Sequence, residues 1–179
     1  SLAAEAIKKS KHVFIEKPLS HNLAGVNVLI DAARQRGLVG YVGCQFRFHP
    51  LLKILRDLLS GNALGRIVGV RAIVAESVVD FHKYEDYRGM YATRRELGGG
   101  VVVSQIHEID YLQWLFGMPR RVTALGGHMS SLDMDVEDVA SVLLECGSEV
   151  SPLPISLYMD FLQRPPCRTG ERGRTADPS

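Results

Sequence analysis

Paired cysteines, a charge field of one sign, long apolar runs and a phosphate-binding glycine turn are all missing from this sequence. The 3 cysteines, Cys44, Cys146 and Cys167, are odd in number and widely spaced, which excludes a disulfide framework or a cysteine metal site. A reduced, cytoplasmic protein is the expectation. With 21 basic and 20 acidic residues the net charge is +1, so no broad field exists for nucleic acid or an anionic membrane. No apolar run reaches the roughly 20 residues that a membrane-spanning helix requires. Residues 1–9 are amphipathic and lack the apolar core of a secretory signal. They read as the end of a helix belonging to something larger. No glycine-rich turn precedes the first strand-like run, so the opening reads as the closing part of a dinucleotide-binding domain.

What is present divides near residue 45. Residues 2–9 predict a helix, 12–16 a buried strand, 20–36 a long helix started by Ser20 or Asn22 and ended by Gly37, and 38–43 another buried strand. Such alternation predicts a parallel sheet with crossover helices. Pro50 then suits the first turn of a helix to about Leu59, with Gly61 beyond it. A β-rich run covers 66–79, a polar and aromatic loop 80–97, and a helix 101–116. Strands are expected at 120–130, 137–146 and 154–163, joined by short turns that suit antiparallel pairing. The expected fold class is therefore α/β plus α+β. Residues 1–44 would be the C-terminal part of a Rossmann-like domain. Residues 45–165 would be a domain with an open, mainly antiparallel sheet packed on helices, and 166–179 a disordered polar tail.

Two stretches carry residues suited to proton transfer. Lys17, in Glu16-Lys17-Pro18, follows a β-run, where strands deliver side chains to a ligand crevice. Pro18 biases Lys17 toward an extended backbone, and a lysine there can hydrogen-bond an alcohol oxygen. The alternative is a surface Glu-Lys pair at a strand end. His107 and Asp110 are three apart on a helix, so Asp110 could orient the imidazole while His107 faces a substrate hydroxyl. A partly buried structural histidine is the bland alternative. Gly98-Gly99-Gly100 permits close backbone approach just before that helix. Ser104, His107 and Asp110 turn steadily around one helix, which argues against a hydrolase triad. His82, His107 and His128 lack metal-ligand spacing, and no metal is expected. At the junction, Gln45 could bond a carboxamide and Arg47 could bring positive charge to a phosphate or substrate, with Phe46 and Phe48 as packing residues.

In order, His12-Val13-Phe14-Ile15-Glu16-Lys17-Pro18, Gly43-Cys44-Gln45-Phe46-Arg47-Phe48-His49-Pro50, Leu64-Gly65-Arg66-Ile67, the glycine triplet and the His107 helix are set out along about residues 1–165. Together they resemble the glucose–fructose oxidoreductase / inositol dehydrogenase / MocA family. The resemblance implies an oxidoreductase using NAD or NADP on a sugar, polyol or nucleotide-sugar, with an open sheet that mediates homo-oligomers. It implies that Lys17 assists proton transfer at the reacting carbinol and that Glu16 and Pro18 shape the nicotinamide site; Gln45 and Arg47, from the junction reading, are expected to bind cofactor with them. His107 would contact substrate as acid or base, with Ser104 and Asp110 beside it. Three departures accompany it. The dinucleotide fingerprint is absent, Ser104 stands where a carboxylate is usual, and the sequence after Arg168 diverges. The rival expectation is a non-catalytic protein of that ancestry that associates through its sheet.

Overall fold

The computed structural model describes residues 1–82 and 84–163. Helix α1 (Leu2–Lys8) leads into strand β1 (Val13–Ile15), which pairs in parallel with β2 (Gly40–Val42) across the crossover helix α2 (Val26–Gln35). The expected helix over 20–36 is shorter at its start. Ser20 Oγ accepts from Asn22 N–H and Asn22 Oδ1 from Ala24 N–H. These side chains close turns before the helix instead of capping it, and α2 begins after Gly25 at φ 73°. The two strands are also less buried than expected: Phe14 is 69% and Tyr41 40% exposed. They face each other across β1 and β2 with ring centres 5.7 Å apart, a stacked cross-strand pair.

A 3-10 turn over Gln45–Phe48 precedes α3 (Pro50–Ser60), where Pro50 occupies the first turn and His49 Nδ1 accepts from Leu51 N–H. Four strands then build the larger sheet: β3 (Val70–Ala75), β4 (Arg121–Gly127), β5 (Val139–Gly147) and β6 (Pro152–Asp160), in the order β3-β6-β5-β4. β4–β5 and β5–β6 are antiparallel, but β3 joins β6 in parallel, so the sheet is mixed. The loop at 128–138 and the short turn at 148–151 allow the antiparallel pairs. β3 has no short turn to a partner, and the whole segment 76–151 intervenes before β6.

Alternation along β5 and β6 points Ala140, Leu144, Ile155, Leu157 and Met159 to one face. That face packs on the short helix α4 (Val101–Ser104) and on α5 (Ile106–Phe116) through Val101 and Leu112. Each fully buried aliphatic side chain contributes on the order of 2 kcal/mol. On the opposite face Ile73, Leu125 and Leu143 lie exposed. Asp138 is fully buried and accepts from Met129 N–H, Ser130 N–H and Ser130 Oγ. This draws 129–130 out of the strand expected to run to 130. The described residues between 76 and 97 include four short 3-10 turns, at Val78–Asp80, Tyr87–Gly89, Tyr91–Thr93 and Arg95–Leu97. Thr93 Oγ1 ties the second to the third by donating to Tyr87 O and Met90 O. Among the described residues no helix is long and apolar enough to cross a membrane. The tail expected to be disordered, with Cys167, lies outside the described residues.

Candidate active site

The glycine triplet fixes where the site helix begins. Gly98 (φ 78°) and Gly100 (φ 119°) sit in backbone conformations that side chains disfavour. A Cβ on Gly98 would strike His21, one on Gly99 the Tyr91 carbonyl, and one on Gly100 the Glu137 carboxylate. The tight approach delivers α4 straight into the core.

The helix expected over 101–116 is interrupted at Gln105, whose backbone sits at φ −99°, ψ 37°. Gln105 is 5% exposed, and its Nε2 donates to the Asp160 carbonyl at the end of β6. The break changes the hydrogen bonding of Ser104. In a continuous helix its carbonyl would accept from Glu108 N–H, but that N–H turns instead to Gln105 O at 3.4 Å. The freed carbonyl accepts from Lys17 Nζ at 2.8 Å. An orphan carbonyl at a helix end thereby meets an ammonium from a residue 87 positions earlier in the chain.

Lys17 lies just past β1, and Cys44 just past β2, so both follow the carboxyl ends of neighbouring parallel strands. The Lys17–Pro18 peptide is cis. Lys17 borders two cavities. One, of about 730 Å³, is lined by Lys17, Phe46, Ser104, Gln105, His107 and Glu108, together with Glu76 and residues of the 3-10 segment. The other, of about 480 Å³, is lined by Lys17, Pro18, Cys44, Arg47 and Asp110 among others.

His107 shares the larger cavity with Lys17 and is only 8% exposed. Its ring stacks on Phe46 at 4.4 Å, nearly parallel, and its Nδ1 is buried with no partner. Burial, and then the Lys17 charge, push its pKa below the ordinary histidine value. His107 is therefore a neutral imidazole at pH 7, able to accept a proton.

Several expected neighbours lie elsewhere. Asp110 does not orient His107. Arg47 takes both of its carboxylate oxygens, Nε at 2.8 Å and Nη2 at 2.5 Å. The hydrogen bond to Asp110 pushes the Arg47 pKa up, so part of the guanidinium is held in a bidentate pair while the side chain still lines the smaller cavity with Lys17 and Pro18. Sequence spacing alone favoured the helix neighbour; the planar guanidinium is the better partner for a carboxylate. Gln45 is exposed and lines neither cavity. Glu16 folds back, its Oε2 accepting from Lys17 N–H, and also lines neither cavity. Ser104 Oγ is buried without a partner, and the residue serves Lys17 through its backbone. Burial, followed by the Asp110 charge, pushes the Cys44 thiol up, away from a nucleophile. Among the described residues no group of three or more His, Cys, Asp or Glu could hold a metal. Gln105, Glu108 and Glu76 are among the cavity residues that escaped the sequence reading. Only Glu108, one residue from His107, carried any signal.

Two family models match this chain. Residues 52–153 match the GFO/IDH/MocA C-terminal domain, and residues 1–44 match the oxidoreductase family with an NAD-binding Rossmann fold. The chain belongs to the GFO/IDH/MocA family. Among curated relatives, an uncharacterized oxidoreductase of Synechocystis is 31% identical over 124 residues, covering 69% of this chain and 33% of the relative. The trans-1,2-dihydrobenzene-1,2-diol dehydrogenase of Oryctolagus cuniculus is 29% identical over 137 residues, 75% of this chain and 39% of the relative. The structure of the WlbA dehydrogenase from Bordetella pertussis, in complex with NADH and UDP-GlcNAcA, superposes with a TM-score of 0.77 at 22% identity, covering 91% of this chain and 45% of that one. The chain thus spans less than half the length of these proteins.

The causes of the His107 shift give a direct check. Substituting Lys17→Met removes the repelling charge, so the His107 pKa should rise toward its ordinary value, while Asp110→Asn should lower it further. An NMR titration of the imidazole resonances measures both. Unchanged titration in Lys17→Met would show that the two side chains do not share a cavity.

Proposed function

We propose that this chain carries the substrate side of an NAD(P)-dependent oxidoreductase acting on a sugar, polyol or nucleotide-sugar. The single observation behind this reading is that Lys17 and His107 line one cavity, the first held by the Ser104 carbonyl and the second kept neutral by burial. Residues 1–44 are read as the closing part of a dinucleotide-binding unit, and the residues from 45 onward as the substrate unit.

The nicotinamide end of the cofactor fits the strand ends after β1 and β2, because ligands of parallel α/β sheets bind beyond the carboxyl ends of strands. Lys17 and Pro18 would lie against it. When bound, the oxidised nicotinamide supplies the hydride acceptor for the substrate carbon. The protein's part is proton handling. The substrate hydroxyl lies between Lys17 and His107. His107 accepts its proton as the C–H bond breaks and the carbonyl forms. The Lys17 ammonium donates a hydrogen bond to the same oxygen and stabilises the negative charge developing there. In the reverse direction His107 returns the proton to the new alkoxide. Ser104 supplies no carboxylate charge beside His107; burial and the Lys17 charge lower its pKa, and the Asp110 and Glu16 charges oppose them only in part.

The open face of the larger sheet, with Ile73, Leu125 and Leu143 exposed among polar neighbours, is read as a self-association surface.

Replacing either Lys17 or His107 by alanine should lower kcat about 100- to 10,000-fold in a spectrophotometric NAD(P)H assay with a panel of sugars and polyols. Hydride transfer that survives both substitutions would end the proton-transfer reading. For self-association, multi-angle light scattering should find more than one chain per particle, and Leu143→Lys should dissociate it. A single chain per particle at all concentrations would remove that part.

A further inference from the structure

Helix α5 turns three of its side chains to the segment that follows β2. His107, Asp110 and Trp114 are spaced i, i+3 and i+7, which places them on one face of the helix. Each meets one side chain of that segment. Phe46 stacks on His107 with ring centres 4.4 Å and planes 13° apart. Arg47 holds Asp110 through two hydrogen bonds, and the Arg56 guanidinium lies over the Trp114 ring at 4.7 Å. The contacts run in the same order along both partners, so the seam has a register.

The middle contact anchors it. A bidentate guanidinium–carboxylate pair constrains direction as well as distance, and the Asp110 side chain is only 13% exposed. Phe46 precedes Arg47 in the same four-residue 3-10 turn. His49 N–H donates to the Phe46 carbonyl at 2.9 Å, and the His49 side chain caps α3. The Phe46 ring is therefore tied on both sides along the chain, with little freedom to leave His107.

The imidazole has need of such a support. A histidine that handles protons is commonly oriented by a hydrogen bond at its second nitrogen. Here Nδ1 is buried with no partner, which leaves Nε2 as the nitrogen that can meet the cavity. Asp110, the helix neighbour suited to orienting the ring, gives both oxygens to Arg47. The charges that act on the imidazole belong to Lys17, Asp110 and Glu16, and Arg47 is not among them. Arg47 thus reaches His107 through the turn and not through its field.

We propose that Arg47 is a positioning residue for His107: by pinning the 3-10 turn to Asp110 it presses the Phe46 ring on the imidazole and fixes the plane in which Nε2 faces the cavity. The inference rests on reading His107 as the proton acceptor of that cavity. It gives the Arg47–Asp110 pair a task in turnover although neither residue touches the reacting atoms.

Proton NMR reads the stack directly, with His107→Gln identifying the signal, because ring protons held over a phenyl face are shifted upfield. The His107 ring protons should lie upfield of the ordinary histidine position and return to it in Phe46→Leu. Phe46→Tyr, which keeps the flat ring, should hold them upfield. Arg47→Lys, which keeps the charge and loses the planar fork, should release them as Phe46→Leu does. It removes no apolar side chain, so it carries the test if Phe46→Leu misfolds. At saturating cofactor, Phe46→Leu and Arg47→Lys should each lower kcat about 10- to 100-fold with little change in the substrate KM, and Phe46→Tyr should recover most of the loss. An upfield signal that survives Arg47→Lys, or a kcat unmoved when the signal is lost, would overturn the inference. The arms separate the two readings. A signal released by Arg47→Lys in a chain without hydride transfer keeps the clamp and removes the oxidoreductase reading; hydride transfer that ignores the signal does the reverse.

Discussion

One hydrogen bond organises the site: the Lys17 ammonium on the Ser104 carbonyl. It exists because the helix after the glycine triplet breaks at Gln105, and the break exists because Gln105 turns its amide to the end of β6. A continuous helix would consume the Ser104 carbonyl internally. Lys17 would then lose its anchor, and its charge would no longer act on His107. The sheet, the helix break and the lysine are thus coupled through two hydrogen bonds, one buried and one part-buried, and each is worth more in this enclosed space than it would be in water.

The Arg47–Asp110 pair does related work on the other side of Lys17. It ties the 3-10 turn after β2 to the second turn of α5 through a bidentate contact. That turn also carries Phe46, whose ring fixes the plane of His107. The charges at the site therefore divide by task. Arg47 and Asp110 hold elements together, while Lys17, His107, Glu76 and Glu108 line one cavity.

Much of the fold was legible because its signals are local. Pro50 and Gly61 bracket α3, Gly37 ends α2, and the period-two pattern of β5 and β6 names the core face. Ser20 and Asn22 misled because such side chains close turns as readily as they cap helices. The parallel seam of β3 with β6 was hidden because no short turn announces it. At the site, Lys17 and His107 stood out by their local context, a strand end before proline and a helix after three glycines. Asp110 was misassigned because spacing on one helix ignores a guanidinium arriving from 63 residues away. Gln105 was invisible, since nothing in Val101-Val102-Val103-Ser104-Gln105-Ile106 marks a break that only the end of β6 imposes.

If Lys17 and His107 act on one proton at one oxygen, removing the second after the first should cost little. A double-mutant cycle on turnover, with Lys17→Ala, His107→Ala and the pair, measures this most directly. The expected result is a double variant scarcely slower than the worse single one, a strongly non-additive cycle. Losses that multiply would mean that the two residues act independently, and the shared-proton account would fail.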